Sequence, residues 1–256
     1  MIKFKNNSPI VVLIGKSAVG KDTIKNELLI NLNCHNSISY TTRPKRNGEE
    51  NGKEYFFVSK KEFDILKNNN QILEHTEYNV CGSLFEYGLG NDSFVNDKIN
   101  VVIVNPIGLK QLIKHEQIKN RLFIVQMTLP DDEIKRRYFE REKQEDIKNL
   151  NKRFEARKLR DEEDFKDLNE IILENNLNNC EISNYNTKDT VKKLINYIYK
   201  NYLLNHNLII DNMDNEYQYK NKEGKIEKID DMNQLHGSWG GLAIIPEIDE
   251  VTITDA

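Results

Sequence analysis

Residues 9–23, PIVVLIGKSAVGKDT, limit what this chain can fold into more than any other stretch of its 256 residues. PIVVLIG is a continuous apolar, β-branched run closed by glycine, the pattern of a central parallel strand buried on both faces. From Asp22 onward the spacing becomes helical, with Ile24, Leu28, Leu29 and Leu32 returning on one face. The stretch therefore reads as a buried strand, a glycine-bounded loop and a helix, in that order.

Such a loop is built to hold phosphate. Consecutive backbone N–H groups close around the anion, a lysine bridges the outer phosphates, and the helix N-terminus adds partial positive charge. Gly15, Ser17, Ala18, Val19, Gly20, Lys21, Asp22 and Thr23 form the candidate cradle. Asp22 stands where the pattern has Ser or Thr, and the hydroxyl of Thr23 comes one residue later. The cradle needs no side chain at position 22, so ATP binding is expected to survive, with Thr23 as the candidate Mg²⁺ ligand and Asp22 able to hold a metal-bound water.

The rest of the chain alternates strands and helices. Strands are expected at NVVIVN (100–105), RLFIVQMT (121–128) and NCEISNY (179–185), and helices at SKKEFDILKNNN with Ser59 as N-cap, near PIGLKQLIK, and at TKDTVKKLINYIYKNYLL. Residues 37–58 mix β-prone segments with Gly and Pro turns and are expected to form a short antiparallel insert. Residues 129–165 carry both charge signs throughout and read as a solvated helix pair. The alternation defines an α/β fold around a mostly parallel sheet.

Composition excludes several classes. A net charge of -4 argues against general polyanion binding, so no nucleic-acid partner is expected and any phosphate recognition must be local. Cys34, Cys81 and Cys180 are widely spaced, which fits reduced cytoplasmic thiols better than a zinc site or a disulfide framework. No apolar run is long enough to span a bilayer, so neither a membrane anchor nor a signal peptide is expected.

The segment SYTTRPKRNGEENGKEYFFVS, residues 39–59, resembles the acceptor-binding region of guanylate kinases, in which TTR, a second Arg, GE, NG and a Tyr recur at this spacing. With the loop, the similarity of element order covers roughly residues 9–200. The resemblance implies a three-layer P-loop NTPase core (1–38, 99–135 and 159–204), an inserted β-rich domain for the nucleoside monophosphate (39–98) and a helical LID (136–158). Residues 205–256 are set apart as a C-terminal appendage, in which YQYKNKEGKIEKI reads as a hairpin and LAIIPEIDEVTIT as an edge strand.

The same resemblance implies roles for particular residues. Arg43 and Arg46 would clamp the acceptor phosphate, whose two negative charges suit the bidentate guanidinium fork, with Tyr55 and Tyr87 adding hydroxyl hydrogen bonds and Glu49 ordering the site. Glu74 would accept from the two adjacent guanine donors, N1–H and N2–H₂, and Asn105 would assist it. Arg137, Arg141 and Arg153 would swing over the transferred phosphoryl group as catalytic residues with Lys21, and Asn184 would lie near the ATP adenine. Tyr40 and Leu89 stand where small hydroxyl residues are usual, so Leu89 is expected to deprive guanine O6 of a donor. Three functions remain open: an ATP-dependent kinase for GMP or dGMP, a kinase for another nucleoside monophosphate, and a protein-binding module on the same fold.

Overall fold

All five residues of the first strand, Ile10 to Ile14, are inaccessible to solvent, and their alternation divides the core in two. The computed structural model describes residues 8–32, 34–46, 48–80, 83–96, 98–142, 146–205, 217–220 and 226–229. Along the chain these form β1 (Ile10–Ile14), α1 (Lys21–Leu32), β2 (His35–Asn36), β3 (Tyr40–Thr41), β4 (Phe56–Phe57), α2 (Lys60–Asn68), β5 (Ile72–Val80) and β6 (Ser83–Gly90). There follow β7 (Asn100–Ile103), α3 (Pro106–Leu112), α4 (Glu116–Lys119), β8 (Leu122–Thr128), α5 (Asp131–Arg141), α6 (Ile147–Phe165), α7 (Leu168–Glu174), β9 (Asn178–Ser183) and α8 (Thr187–Asn205). A last antiparallel pair joins β10 (Tyr217–Lys220) to β11 (Ile226–Ile229), as the alternation about Glu223 and Gly224 predicts. The expected edge strand after it, LAIIPEIDEVTIT, and the thiol of Cys81 lie outside the described residues.

The main sheet has the order β2-β7-β1-β8-β9 and every pairing in it is parallel. Val11 and Leu13 point to one side and pack with Ile24, Leu28 and Leu32 of α1 and with Leu194, Ile195 and Ile198 of α8. Ile10, Val12 and Ile14 point to the other, against Leu109 and Leu112 of α3 and Leu168, Ile171 and Ile172 of α7. Helices on both faces of one parallel sheet make the three-layer core expected from the sequence. Each such fully buried aliphatic side chain contributes about 1.5–3 kcal/mol, which makes β1 the anchor of both halves.

A second sheet, β4-β3-β6-β5, comes from the chain between β2 and β7. Within residues 37–58 the expected antiparallel ribbon is not what forms: β3 and β4 pair in parallel, and the antiparallel partner of β3 is β6, from the long β5–β6 hairpin. Thr41 and Thr42 lock that joint, one hydroxyl donating to the Glu86 carbonyl at 2.9 Å and the other accepting the Glu86 N–H at 2.9 Å. The helix α2 covers the sheet through Phe63, which is fully buried, and begins with a capping box between Ser59 and Glu62. Glu86, 2% exposed, is held by Lys60 at 2.6 Å, Lys67 at 3.1 Å and His75 at 3.0 Å. At the edge strand β5, the Gln111 side chain of α3 donates to the His75 carbonyl at 2.7 Å and accepts its N–H at 2.9 Å, tying the small sheet to the core. Among the described residues, no helix is long and apolar enough to cross a membrane.

Candidate active site

The loop between β1 and α1 has the conformation its composition predicts. Ala18 and Gly20 both take positive φ, 63° and 97°, so the chain curls and successive N–H groups turn inward. Glycine is required at position 20 on two counts, since a β-carbon there would lie 2.5 Å from Asn184 Nδ2. That amide, 1% exposed at the end of β9, donates to the Val19 carbonyl at 2.8 Å and thereby braces the loop. Asn184 is thus placed as a support of the loop from beneath.

Lys21 folds back over the loop, its Nζ donating to the carbonyls of Gly15 at 2.6 Å and Lys16 at 2.9 Å. Burial pushes its pKa down to about 8; Asp161 and Asp22 pull it upward, and the cations Arg157 and Arg141 push it further down. Asp22 and Thr23 lie exposed on the first turn of α1. Their hard oxygen donors beside the loop suit Mg²⁺.

On the small sheet, Arg43 is 7% exposed and grips Glu49 with both arms of its guanidinium, at 2.9 and 2.8 Å. The Glu49 carboxylate also accepts the Arg46 N–H at 2.7 Å, so one acid orders both arginines, while the Arg46 side chain stays exposed. The Arg43 guanidinium lies 5.5 Å from the Tyr55 ring centre, and Tyr55 meets Tyr87 edge-on at 5.7 Å. Tyr87 in turn meets Tyr78 at 5.6 Å, and the Tyr78 hydroxyl accepts a hydrogen bond from Asn105. A wall of three tyrosines therefore runs away from Arg43. Burial raises the Tyr55 pKa to about 12, and the charge of Asp22 contributes, which places this wall within electrostatic range of the first turn of α1.

Glu74 stands beyond the tyrosine wall, 7% exposed. The β5–β6 register shifts between Ile72 and Glu74, and such a bulge turns a side chain to the opposite face. Burial pushes the Glu74 carboxyl up to about 7, partly opposed by hydrogen bonds from the Leu89 backbone and the Thr76 side chain. Asn105 caps α3, accepting the Gly108 N–H at 2.7 Å. The Leu89 side chain is fully buried in the core cluster with Ile10 and Val12, and its backbone hydrogen-bonds the Glu74 carboxylate.

The helices α5 and α6 close the other side. Arg137 is held by Glu133 at 2.7 Å and by the Asn184 carbonyl at 2.8 Å, beside the loop's brace. Arg141 pairs with Glu142 at 3.1 Å and lies 5.5 Å from the Tyr138 ring centre. Arg153 is exposed near the start of α6, lining a groove with Asp146, Asn149 and Lys152. Three groups that the sequence reading passed over touch the loop region. Asp161 accepts the Ser17 N–H at 2.7 Å, Asp131 bridges Lys16 at 3.7 Å and Lys158 at 2.7 Å, and Arg157 lines the cleft between them. For Arg157 and Asp161 the trace in the sequence is the four-residue spacing of 153, 157 and 161, which interleaved charges of both signs conceal.

A parallel sheet flanked by helices, with a positive-φ loop leading from its central strand into α1, defines an α/β protein of the P-loop class. A family model described as guanylate kinase matches residues 7–183. The chain is 35% identical over 130 residues to a guanylate kinase of Mesoplasma florum, covering 49% of this chain and 43% of that protein. It is 36% identical over 155 residues to one from Ehrlichia chaffeensis, covering 58% of this chain and 71% of that protein. The crystal structure of guanylate kinase from Anaplasma phagocytophilum shares the fold, with a TM-score of 0.54 and 22% identity over 78% of this chain and 88% of that one. The chain belongs to the guanylate kinase family, although it spans less than half the length of the first of these relatives.

Proposed function

We propose that the protein transfers the γ-phosphoryl group of ATP to a nucleoside monophosphate, GMP or dGMP, giving the diphosphate. One observation carries this reading: a continuous series of contacts runs from the Arg43–Glu49 pair through Tyr55, Tyr87 and Tyr78 to Asn105 and the Gly108 that lies against buried Glu74. Arg43 and Arg46 take the acceptor phosphate, Tyr55 and Tyr87 steady it, and ionised Glu74 accepts from N1–H and N2–H₂ of guanine. Lys21 unfolds from its loop carbonyls to meet the β- and γ-phosphates, and Arg137, Arg141 and Arg153 supply positive charge from the LID side. Thr23, with Asp22 through water, would hold Mg²⁺, which when bound neutralises charge on the outer phosphates. The catalytic unit is taken as residues 1–204, with 205–256 as an appendage, working in the cytoplasm.

A coupled assay of ADP release, run with ATP, Mg²⁺ and a panel of (deoxy)nucleoside monophosphates, tests the reading. GMP or dGMP should be the best acceptor. Preference for a pyrimidine would remove the guanine assignment and leave the kinase, whereas no release with any acceptor would remove both.

A further inference from the structure

Residues 153, 157 and 161 recur every four positions on α6 and so form one ridge, with steps of about 6 Å along the axis. One end of the ridge is fixed to the phosphate loop, because the Asp161 carboxylate accepts the Ser17 N–H at 2.7 Å and the Ser17 hydroxyl at 3.3 Å. One turn back, Arg157 is half-buried and lines the same small cleft as Lys16, Ser17, Tyr138 and Asp161. Its guanidinium lies 5.6 Å from the centre of the Tyr138 ring, which is 2% exposed and carries Arg141 at 5.5 Å as well. A further turn back, Arg153 has left the cleft for the groove at the start of the helix.

We propose that Arg157, in addition to Arg153, contacts the phosphates of a bound nucleoside triphosphate, held for that contact on the Tyr138 ring. The inference rests on the nucleotide-binding reading above and adds a residue to it. Among the described residues no carboxylate lies within ion-pair reach of Arg157, whereas Arg137 is held by Glu133 and Arg141 by Glu142. An arginine stacked on a ring keeps its N–H donors free at the edge of its plane, where they meet phosphate oxygens. The phosphate displaces the Asp161 carboxylate from the Ser17 N–H, and Arg157 is the next group on that ridge.

The test compares the parent with Arg157→Ala, Arg157→Lys and, as a control on the exposed face of α8, Lys192→Ala, all checked for unchanged thermal melting. Calorimetric binding of inorganic tripolyphosphate with Mg²⁺ is expected to weaken about 10-fold in Arg157→Ala and to recover in part in Arg157→Lys, while Lys192→Ala stays within about threefold. Single-turnover transfer to GMP is expected to fall about 100-fold in Arg157→Ala and to be partly rescued by added guanidinium ion. Parent-like tripolyphosphate binding by Arg157→Ala, or an equal loss in Lys192→Ala, overturns the proposal. Should Arg157→Ala lose affinity in a protein that phosphorylates no monophosphate, the contact stands and the kinase reading falls.

Discussion

The Glu74 carboxylate lies against Gly108 at the start of α3, where an added β-carbon would be 2.9 Å from Oε2. The acid is thereby held from both sides, by β6 through the Leu89 backbone and by the helix that Asn105 caps. Glu74→Gln replaces one acceptor with a donor, leaving a guanine N–H facing an N–H. Such a mismatch in a buried site costs about 1–3 kcal/mol, so the preference for GMP over AMP in kcat/KM should fall roughly 10- to 100-fold. An unchanged ranking of bases in the acceptor panel would show that another group reads the base.

The same acid should make stability fall as pH rises. Its folded pKa, about 7, lies above the unfolded value of 4.5, so between those values the folded state binds the extra proton. The stabilisation is complete below 4.5 and is lost as pH rises through 7, by up to about 3 kcal/mol for a shift of this size. Chemical denaturation from pH 4.5 to 8 should show the parent losing stability relative to Glu74→Gln over that window. GMP needs the ionised acid, so its affinity should rise with pH up to about 7 and then level off.

Removing the Lys21 ammonium should abolish turnover. Lys21→Ala loses a cation aimed at charge that develops between the β- and γ-phosphates, for which a drop in kcat of about 100-fold or more is expected. The loop itself should survive, because Asn184 braces it independently of the lysine. Circular dichroism and melting temperature check the second point, and unchanged kcat removes the kinase reading.

Asp161 occupies an N–H of the phosphate loop with a negative charge of its own. Asp161→Asn keeps the shape and removes the charge, so tripolyphosphate should bind several-fold more tightly than to the parent, an effect of about 1 kcal/mol. Titration calorimetry reads this directly. Weaker binding in the variant would mean that Asp161 stays on Ser17 when phosphate arrives.

Local signals made much of this fold legible. β1, the loop and α1 announce themselves through an apolar run, paired glycines and helical spacing, and Ser59 marks the start of α2 by a capping box confined to four residues. The β5–β6 hairpin escaped because Glu74, Glu77 and Glu86 interrupt any clean alternation, and the bulge near Leu73 breaks the period where it matters most. The parallel β3–β4 pair escaped because its partners are joined through a loop with no regular pattern. In the candidate site, Arg43, Glu49 and Glu74 are singled out only by the family resemblance, and the structure brings the first two into one ion pair. The side chains of α6 that face the loop depend on the helix's rotation about its axis, which evenly charged sequence does not encode.

The position of β1 in the main sheet bears on how the chain emerges from a ribosome. Both of its neighbours, β7 and β8, are made later, and roughly 85 residues separate Ile14 from Asn100. At usual elongation rates of 5–20 residues per second, β1 waits about 4–17 s before either flank exists. During that time one of the most apolar segments of the protein has α1 on one face but no neighbouring strand, while the small sheet and α2 have all their strands and can fold first. Chains truncated near residue 98 and released from the ribosome should therefore protect residues 39–90 from protease while Ile10–Ile14 remain cleavable or chaperone-bound. Equal protection of both would show that β1 finds cover before its sheet is made.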